Sequence, residues 1–293
     1  MKTSRVLTEI LRHAWMMDLR AVNGFLPVVA NWLNGNDVMF EDRGRLQIKA
    51  AMAGTFTPDD IDDLNDVPEN TVAIVPMKGE LLKYDDLCSY GTMSVAGLVK
   101  TAAMNKNIVA LVLDVDSPGG SVNAIPPMLE AIRFAKQMKK PVIVHGDLVA
   151  SAAMYVSVFA DYIVADNELS SEFGSIGVMV QFADYTDFWE TKGVKLHTVY
   201  APESTHKNAE FEKAIKGDYE PLQRNILSPL AVQFQEAVKG ARGKKLNLLT
   251  EGLLNGKMFF GGDAVKAGLA DAIGSLYKAV EMAYAFADLR KLK

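Results

Sequence analysis

From residue 71 onward, short apolar blocks alternate with stretches whose apolar residues recur at helical spacing, and this alternation sets the first expectation for the fold. Thr71 to Met77 reads as a strand, Ser94 to Met104 as a helix and Ile108 to Val115 as a strand rich in β-branched residues. Ala124 to Lys139 reads as a helix opened by Pro126-Pro127, since proline fits the first turn, where no intrahelical N–H bond is lost. Val142 to His145 is the next strand, Ser151 to Ala160 a helix, and Tyr162 to Ala165 a strand. Further helices are expected at 220–240 and 276–289. Short apolar strands separated by helices imply βαβ crossovers, so the expected class is α/β, with a sheet covered on both faces.

Upstream the pattern changes. Residues 4–18 carry Val6, Ile10, Leu11, Ala14 and Trp15 at helical spacing, and residues 25–34 repeat the pattern after the Asn23-Gly24 breaker. Two amphipathic helices are expected, packed on the main domain or on a second subunit. Residues 53–70 are acidic and carry two prolines, a linker composition. The expected division is an N-terminal helical extension with its linker over 1–62 and a main domain over 63–293.

Composition narrows the function more than the fold. Hydrophobic residues make up 49% and charged residues 23%, which is ordinary for a folded protein of enzyme size. The net charge of −5 and the scattered Lys and Arg residues argue against nucleic-acid binding. Cys88 is the single cysteine, so neither an intrachain disulfide nor a multi-cysteine metal site can form. A free thiol suits a reducing cytoplasm, and no metal or cofactor is expected. Glu9, Arg12, Asp18 and Arg20 break up the start, so it does not read as a secretory signal. The apolar run from Ala21 to Leu33 is shorter than the ~20 residues that span a bilayer, and no membrane anchor is expected.

Two segments carry candidate chemistry. Pro141-Val-Ile-Val-His-Gly-Asp-Leu-Val-Ala-Ser-Ala-Ala-Met-Tyr155 reads as strand, turn and helix, leaving the Ser151 hydroxyl at a helix N-terminus among small side chains. Backbone N–H groups there can stabilise a developing oxyanion. The Gly119-Gly120 pair comes just after the strand 108–115, and without Cβ atoms its backbone can approach a substrate carbonyl. Taken alone, Ser151 is an ordinary helix cap and the glycine pair an ordinary turn; together they offer a nucleophile and an oxyanion hole. A serine also needs a base. The histidines are His13, His145, His197 and His206, of which His145, six residues upstream of Ser151, is the candidate. Lys207 is the other, on the condition that an apolar cleft keeps it neutral.

These residues are the ones through which the chain resembles peptidase family S49, the signal peptide peptidase A group with its bacteriophage capsid-protease relatives. The similar elements are Asp116-Ser-Pro-Gly-Gly-Ser-Val122, Ala150-Ser-Ala-Ala-Met-Tyr155, Gly174-Ser-Ile-Gly-Val178, Ala201-Pro-Glu-Ser-Thr-His-Lys207 and the stretch Gly256 to Gly274. The resemblance implies a Clp-protease/crotonase-like fold, Ser151 as nucleophile and Lys207 as general base. It also implies Gly119, Gly120 and the Ala152 N–H as oxyanion hole, with Ser175 supporting Lys207. Ser-Ala-Ala-Met-Tyr departs from the usual Ser-Gly-Gly-Tyr of signal peptide peptidases and is closer to the phage-type variant. The resemblance therefore implies a cytoplasmic serine endopeptidase acting on peptide or protein substrates, in a homo-oligomer. Its role would be capsid (prohead) maturation, with capsid or scaffolding proteins as partners. The alternatives are a cytoplasmic peptide-degrading relative, a silent assembly scaffold on the same fold, and crotonase-type acyl-CoA chemistry, which would not need the serine.

Overall fold

A computed structural model of the chain describes residues 15–17, 46–52, 59–61, 66–85, 89–182 and 184–292. Its centre is a sheet in which β4 (Thr71–Lys78), β5 (Ile108–Ser117), β7 (Val142–Ala150) and β8 (Tyr162–Ala165) run parallel in that spatial order. β9 (Glu172–Gly174) takes over the same edge of β7 beyond β8, pairing Ala150 with Gly174, and β10 (Met258–Phe260) pairs antiparallel with it. On the far side β2 (Ile48–Ala51) and β3 (Asp59–Ile61) extend the sheet antiparallel from β4, and β11 (Ala272–Ile273) adds to β8. A separate two-stranded ribbon joins β1 (Trp15–Met17) to β6 (Gly119–Ser121).

The period-two alternation of the strands distributes the core between two faces. Ala73, Val75, Met77, Leu111, Leu113, Val115, Val142 and Val144 face one way, into a core shared with α1 (Thr92–Met104) and α2 (Ile125–Gln137). Their neighbours Val72, Ile74, Ala110, Val112, Ile143 and Val164 face the other, against α8 (Leu276–Lys291). Ala279, Ala283 and Ala287 recur every four residues on α8, and this small-residue stripe lets the helix lie close to the strands. Further helices include α3 (Ala152–Ser157), α4 (Thr186–Thr191), α5 (Ala209–Ile215), α6 (Ser228–Arg242) and α7 (Gly261–Ala267). Burial of both faces explains why β4 and β5 read as continuous apolar runs.

The α/β class agrees with the sequence reading, and two upstream expectations do not. Residues 15–17, read as the end of a helix over 4–18, are a strand; the rest of that helix and the one expected at 25–34 lie outside the described residues. Helical spacing is a local signal, whereas β1 is fixed by the backbone of β6, about a hundred positions away. The linker read at 53–70 contains β3, and Val67 is buried in the core, so the sheet continues across the boundary placed at residue 62. β3 is the edge strand on this side of the sheet.

One buried ion pair ties the C-terminal part to the sheet. Arg242, at the end of α6 and 4% exposed, holds Asp271 through two bonds of 2.9 and 3.0 Å and donates from Nε to the Gly268 carbonyl at 2.8 Å. Asp271 also accepts the Ile163 N–H at the start of β8 and the Lys245 ammonium. Burial pushes the Asp271 carboxyl up, and the Arg242 and Lys245 hydrogen bonds more than reverse this, leaving it below the ordinary 3.8. Arg242→Met should therefore cost about 3–5 kcal/mol at neutral pH, because Asp271 stays buried without its main partner. A carboxyl depressed in the folded state stabilises above its unfolded pKa, and that contribution is lost as pH falls through the folded value. Urea unfolding of wild type and Arg242→Met should accordingly converge below pH 3.8; a constant gap down to pH ~2 would contradict the assignment.

Candidate active site

β7 runs into α3 through one residue, Ser151, whose backbone sits at φ 53° and ψ −115°. Few non-glycine residues adopt positive φ, and such a position costs about 1–3 kcal/mol unless its surroundings hold it. Here the Ser151 N–H donates to Gly174 O at 2.9 Å, and its carbonyl accepts the Tyr155 N–H at 2.9 Å as the first bond of the helix. The side chain thereby projects from a sharp strand-to-helix corner, the arrangement that presents a nucleophile at the top of a sheet. Ser151 is 1% exposed, and its Oγ has no hydrogen-bond partner among the described residues. A buried hydroxyl without a partner costs about 1–3 kcal/mol, which makes this a position where stability is given up.

The glycine pair lies against that corner. Gly119 has φ +97°, and a Cβ there would sit 2.9 Å from both Ala150 O and Ala152 N while colliding with the Met16 carbonyl oxygen. Only glycine lets β6 run this close to the serine turn. The Gly119 N–H donates to Ser117 Oγ at 3.2 Å, and Ser117 Oγ donates in turn to Gly79 O at 2.6 Å, which orients the entry to the pair. On one edge of β6 the Leu81 N–H donates to Gly119 O at 2.8 Å and Leu81 O accepts the Ser121 N–H at 2.9 Å. Strand alternation turns the N–H and C=O of Gly120 to the opposite edge, where its register partner is Met16 of β1. Ala152 opens α3, so its N–H has no carbonyl four residues back within the helix. Ser175 comes directly after the Gly174 that anchors Ser151, is half-buried, and itself has φ 53°.

Ser151, Gly119, Gly120, Ala152 and Ser175 are thus brought together, and Lys207 is not. It lies exposed in the 204–207 turn, where its N–H donates to Ser204 O, and no hydrogen bond joins it to Ser151. The apolar cleft expected around it is absent from this arrangement of the described residues. His145 is removed from the serine by the strand itself: six residues along β7 at ~3.3 Å each separate them by roughly 20 Å. Its Nδ1 lies 2.9 Å from Asp114 Oδ1 and its Nε2 3.1 Å from Asp166 Oδ1, so both nitrogens are committed elsewhere. Burial raises the Asp114 carboxyl, and hydrogen bonds from His145 and Lys78 outweigh this and hold it below its usual value. Ser117, Leu81 and Met16 escaped the sequence reading. The signal for Ser117 was its place between a strand end and Pro118-Gly119; Leu81 and Met16 act through backbone, which side-chain type does not report.

Protease 4 of Haemophilus influenzae is 28% identical over 249 residues, covering 81% of this chain and 38% of that protein. Capsid assembly protease C of Escherichia phage lambda is 22% identical over 230 residues, covering 76% of this chain and 51% of that protein. The chain spans about half or less of the length of these relatives. Among solved structures, the 1510-N membrane-bound stomatin-specific protease superposes with a TM-score of 0.48 at 16% identity, over 73% of this chain and 84% of that one. That likeness is loose, and the architecture rests on the strand order itself. The sequence profile of Peptidase family S49 matches residues 134–290, more than half of the 293 residues, and the chain belongs to that family.

Proposed function

We propose that the chain is a serine endopeptidase with Ser151 as nucleophile and Lys207 as general base. The observation that carries this reading is the Ser151 corner: a strained, buried, unbonded hydroxyl beside a glycine strand and the first N–H of a helix. Ser151 Oγ attacks the scissile carbonyl while the base takes its proton, and the carbonyl oxygen becomes an oxyanion accepting from Ala152 N–H and the glycine-strand N–H. The tetrahedral adduct collapses to an acyl-enzyme as the amine leaves with that proton, and water releases the acyl group by the same steps in reverse order. In this reading Ser175, which follows the Gly174 that accepts the Ser151 N–H, supports the base.

The physiological role proposed is processing of capsid or scaffolding protein during phage or prophage head assembly in the host cytoplasm, supported by the likeness to capsid assembly protease C of phage lambda. No helix among the described residues is long and apolar enough to cross a membrane. A homo-oligomer is part of the reading: the segment around Lys207 leaves Leu196 68%, Val199 90%, Ile215 53% and Tyr219 55% exposed, side chains that a second copy would cover. The direct test is labelling of the full chain by a serine-reactive fluorophosphonate, mapped by mass spectrometry. Label on Ser151 that vanishes in Ser151→Ala is expected; label retained in Ser151→Ala, at another serine, would reject the assignment.

A further inference from the structure

One edge of the glycine strand beside Ser151 is already taken by the chain itself. β1 runs antiparallel along the free edge of β6 with Trp15 opposite Ser121, Met16 opposite Gly120 and Met17 opposite Gly119. The opposite edge of β6 is held by Leu81, so the edge that β1 takes is the only one left for an incoming strand. The Met16 carbonyl oxygen and the Ala152 nitrogen crowd the same point, the place where a Cβ on Gly119 would stand. Met16 is 2% exposed and packs into the main core. An extended backbone on the glycine strand, one carbonyl beside the candidate oxyanion donors and one apolar side chain buried, is what a bound peptide would present.

We propose that Trp15–Met17 is an internal pseudosubstrate, an occupant of the groove beside Ser151 that an extended, apolar peptide segment must displace in order to bind. This rests on the reading of Ser151 as the nucleophile. Its consequence for ligand class is that the subsite filled by Met16 takes an unbranched apolar side chain, and that backbone pairing to Gly120 supplies register independent of sequence. Its consequence for activity is a tax on affinity: a peptide binds only the fraction of molecules whose β1 has left, so apparent Kd rises as that fraction falls.

The register supplies a reversible test on the full chain. Because Gly120 and Met16 form the hydrogen-bonded pair, Trp15 and Ser121 are a non-hydrogen-bonded pair with Cα atoms about 4.5 Å apart, inside the roughly 4.4–6.8 Å span of a disulfide. Trp15→Cys with Ser121→Cys, in a Cys88→Ser background, should lock β1 in place when oxidised. Fluorophosphonate labelling of Ser151 should then fall at least about tenfold and recover on reduction, while Met16→Asp, which evicts the buried side chain, should raise it about tenfold above wild type. A synthetic peptide of residues 10–22 should slow labelling of the Met16→Asp variant, and the same peptide carrying Met16→Asp should not. Equal labelling of the oxidised and reduced forms overturns the occupant and leaves the serine reading standing. Absence of Ser151 label from the reduced and Met16→Asp forms, both folded by circular dichroism, overturns the serine reading and the occupant with it.

Discussion

Ser151→Ala is expected to lower peptide hydrolysis by at least about 10³-fold and to leave the melting temperature unchanged or raised. The two halves come from one geometry. Alanine keeps the Cβ, so the strained φ of 53° is neither relieved nor worsened, and the bonds to Gly174 O and from Tyr155 N–H are made by backbone. What disappears is a buried hydroxyl with no partner among the described residues, whose removal gains up to about 1–3 kcal/mol. Ser151→Gly should go further in stability, because glycine accepts positive φ without a Cβ penalty. An inactive, more stable variant is the pattern of a site where strain serves function. Thermal melts and initial rates on one set of preparations decide it. A Ser151→Ala protein that melts several degrees lower would mean that the hydroxyl is a structural cap, and one that keeps more than about a tenth of the activity would end the serine mechanism.

How far the sequence spoke depends on the range of the interaction concerned. β4, β5 and β8 were legible because strands buried on both faces must be apolar at every position, and α1, α2 and α8 because their buried stripes recur at helical spacing. β7 was cut short at His145, since Gly146-Asp147 looks like a turn. In the structure Gly146 and Val149 remain paired, and the strand continues to Ala150 through an irregularity in register. β1, β6, β9 and β10 went unread because each is three residues long and is fixed by pairing to a strand elsewhere in the chain.

The site divides along the same line. Ser151, Gly119, Gly120 and Ala152 could be named because small residues between a strand and a helix are a short-range signal, and their convergence comes from the parallel pairing of β5 with β7. The positive φ of Ser151 and the crowding of Gly119 by Ala150 and Ala152 add what sequence lacks, a reason why those particular residues are small. Lys207 marks the limit. Its segment has no periodic pattern, and its neighbours Val199 and Ile215 are left exposed, so no packing among the described residues fixes where it goes.

Lys207→Ala should nevertheless be nearly as damaging to hydrolysis as Ser151→Ala, since a serine hydroxyl without a base attacks an amide very slowly. Lys207→Arg should be inactive too, because a guanidinium keeps its proton at any working pH and cannot accept another. The rate should rise toward alkaline pH, as expected of an amine base that works only when neutral, with no limb near the pKa of ~6.5 of an ordinary histidine. His145→Ala should act on stability and spare the turnover of the folded fraction, since the ring bridges Asp114 and Asp166 far from the serine. Because Lys207 is exposed and Ser151 unbonded, the pair forms only if the 184–219 segment closes over the chain's own corner or a second copy brings its lysine there. Co-assembly of Ser151→Ala with Lys207→Ala separates these routes. Mixed oligomers that regain activity place the lysine on a neighbouring copy, and mixtures that stay dead while each variant still assembles place it on the same chain. Near-normal turnover in Lys207→Ala itself would remove the lysine from the mechanism, and with both nitrogens of His145 held by carboxylates the base would have to be sought elsewhere.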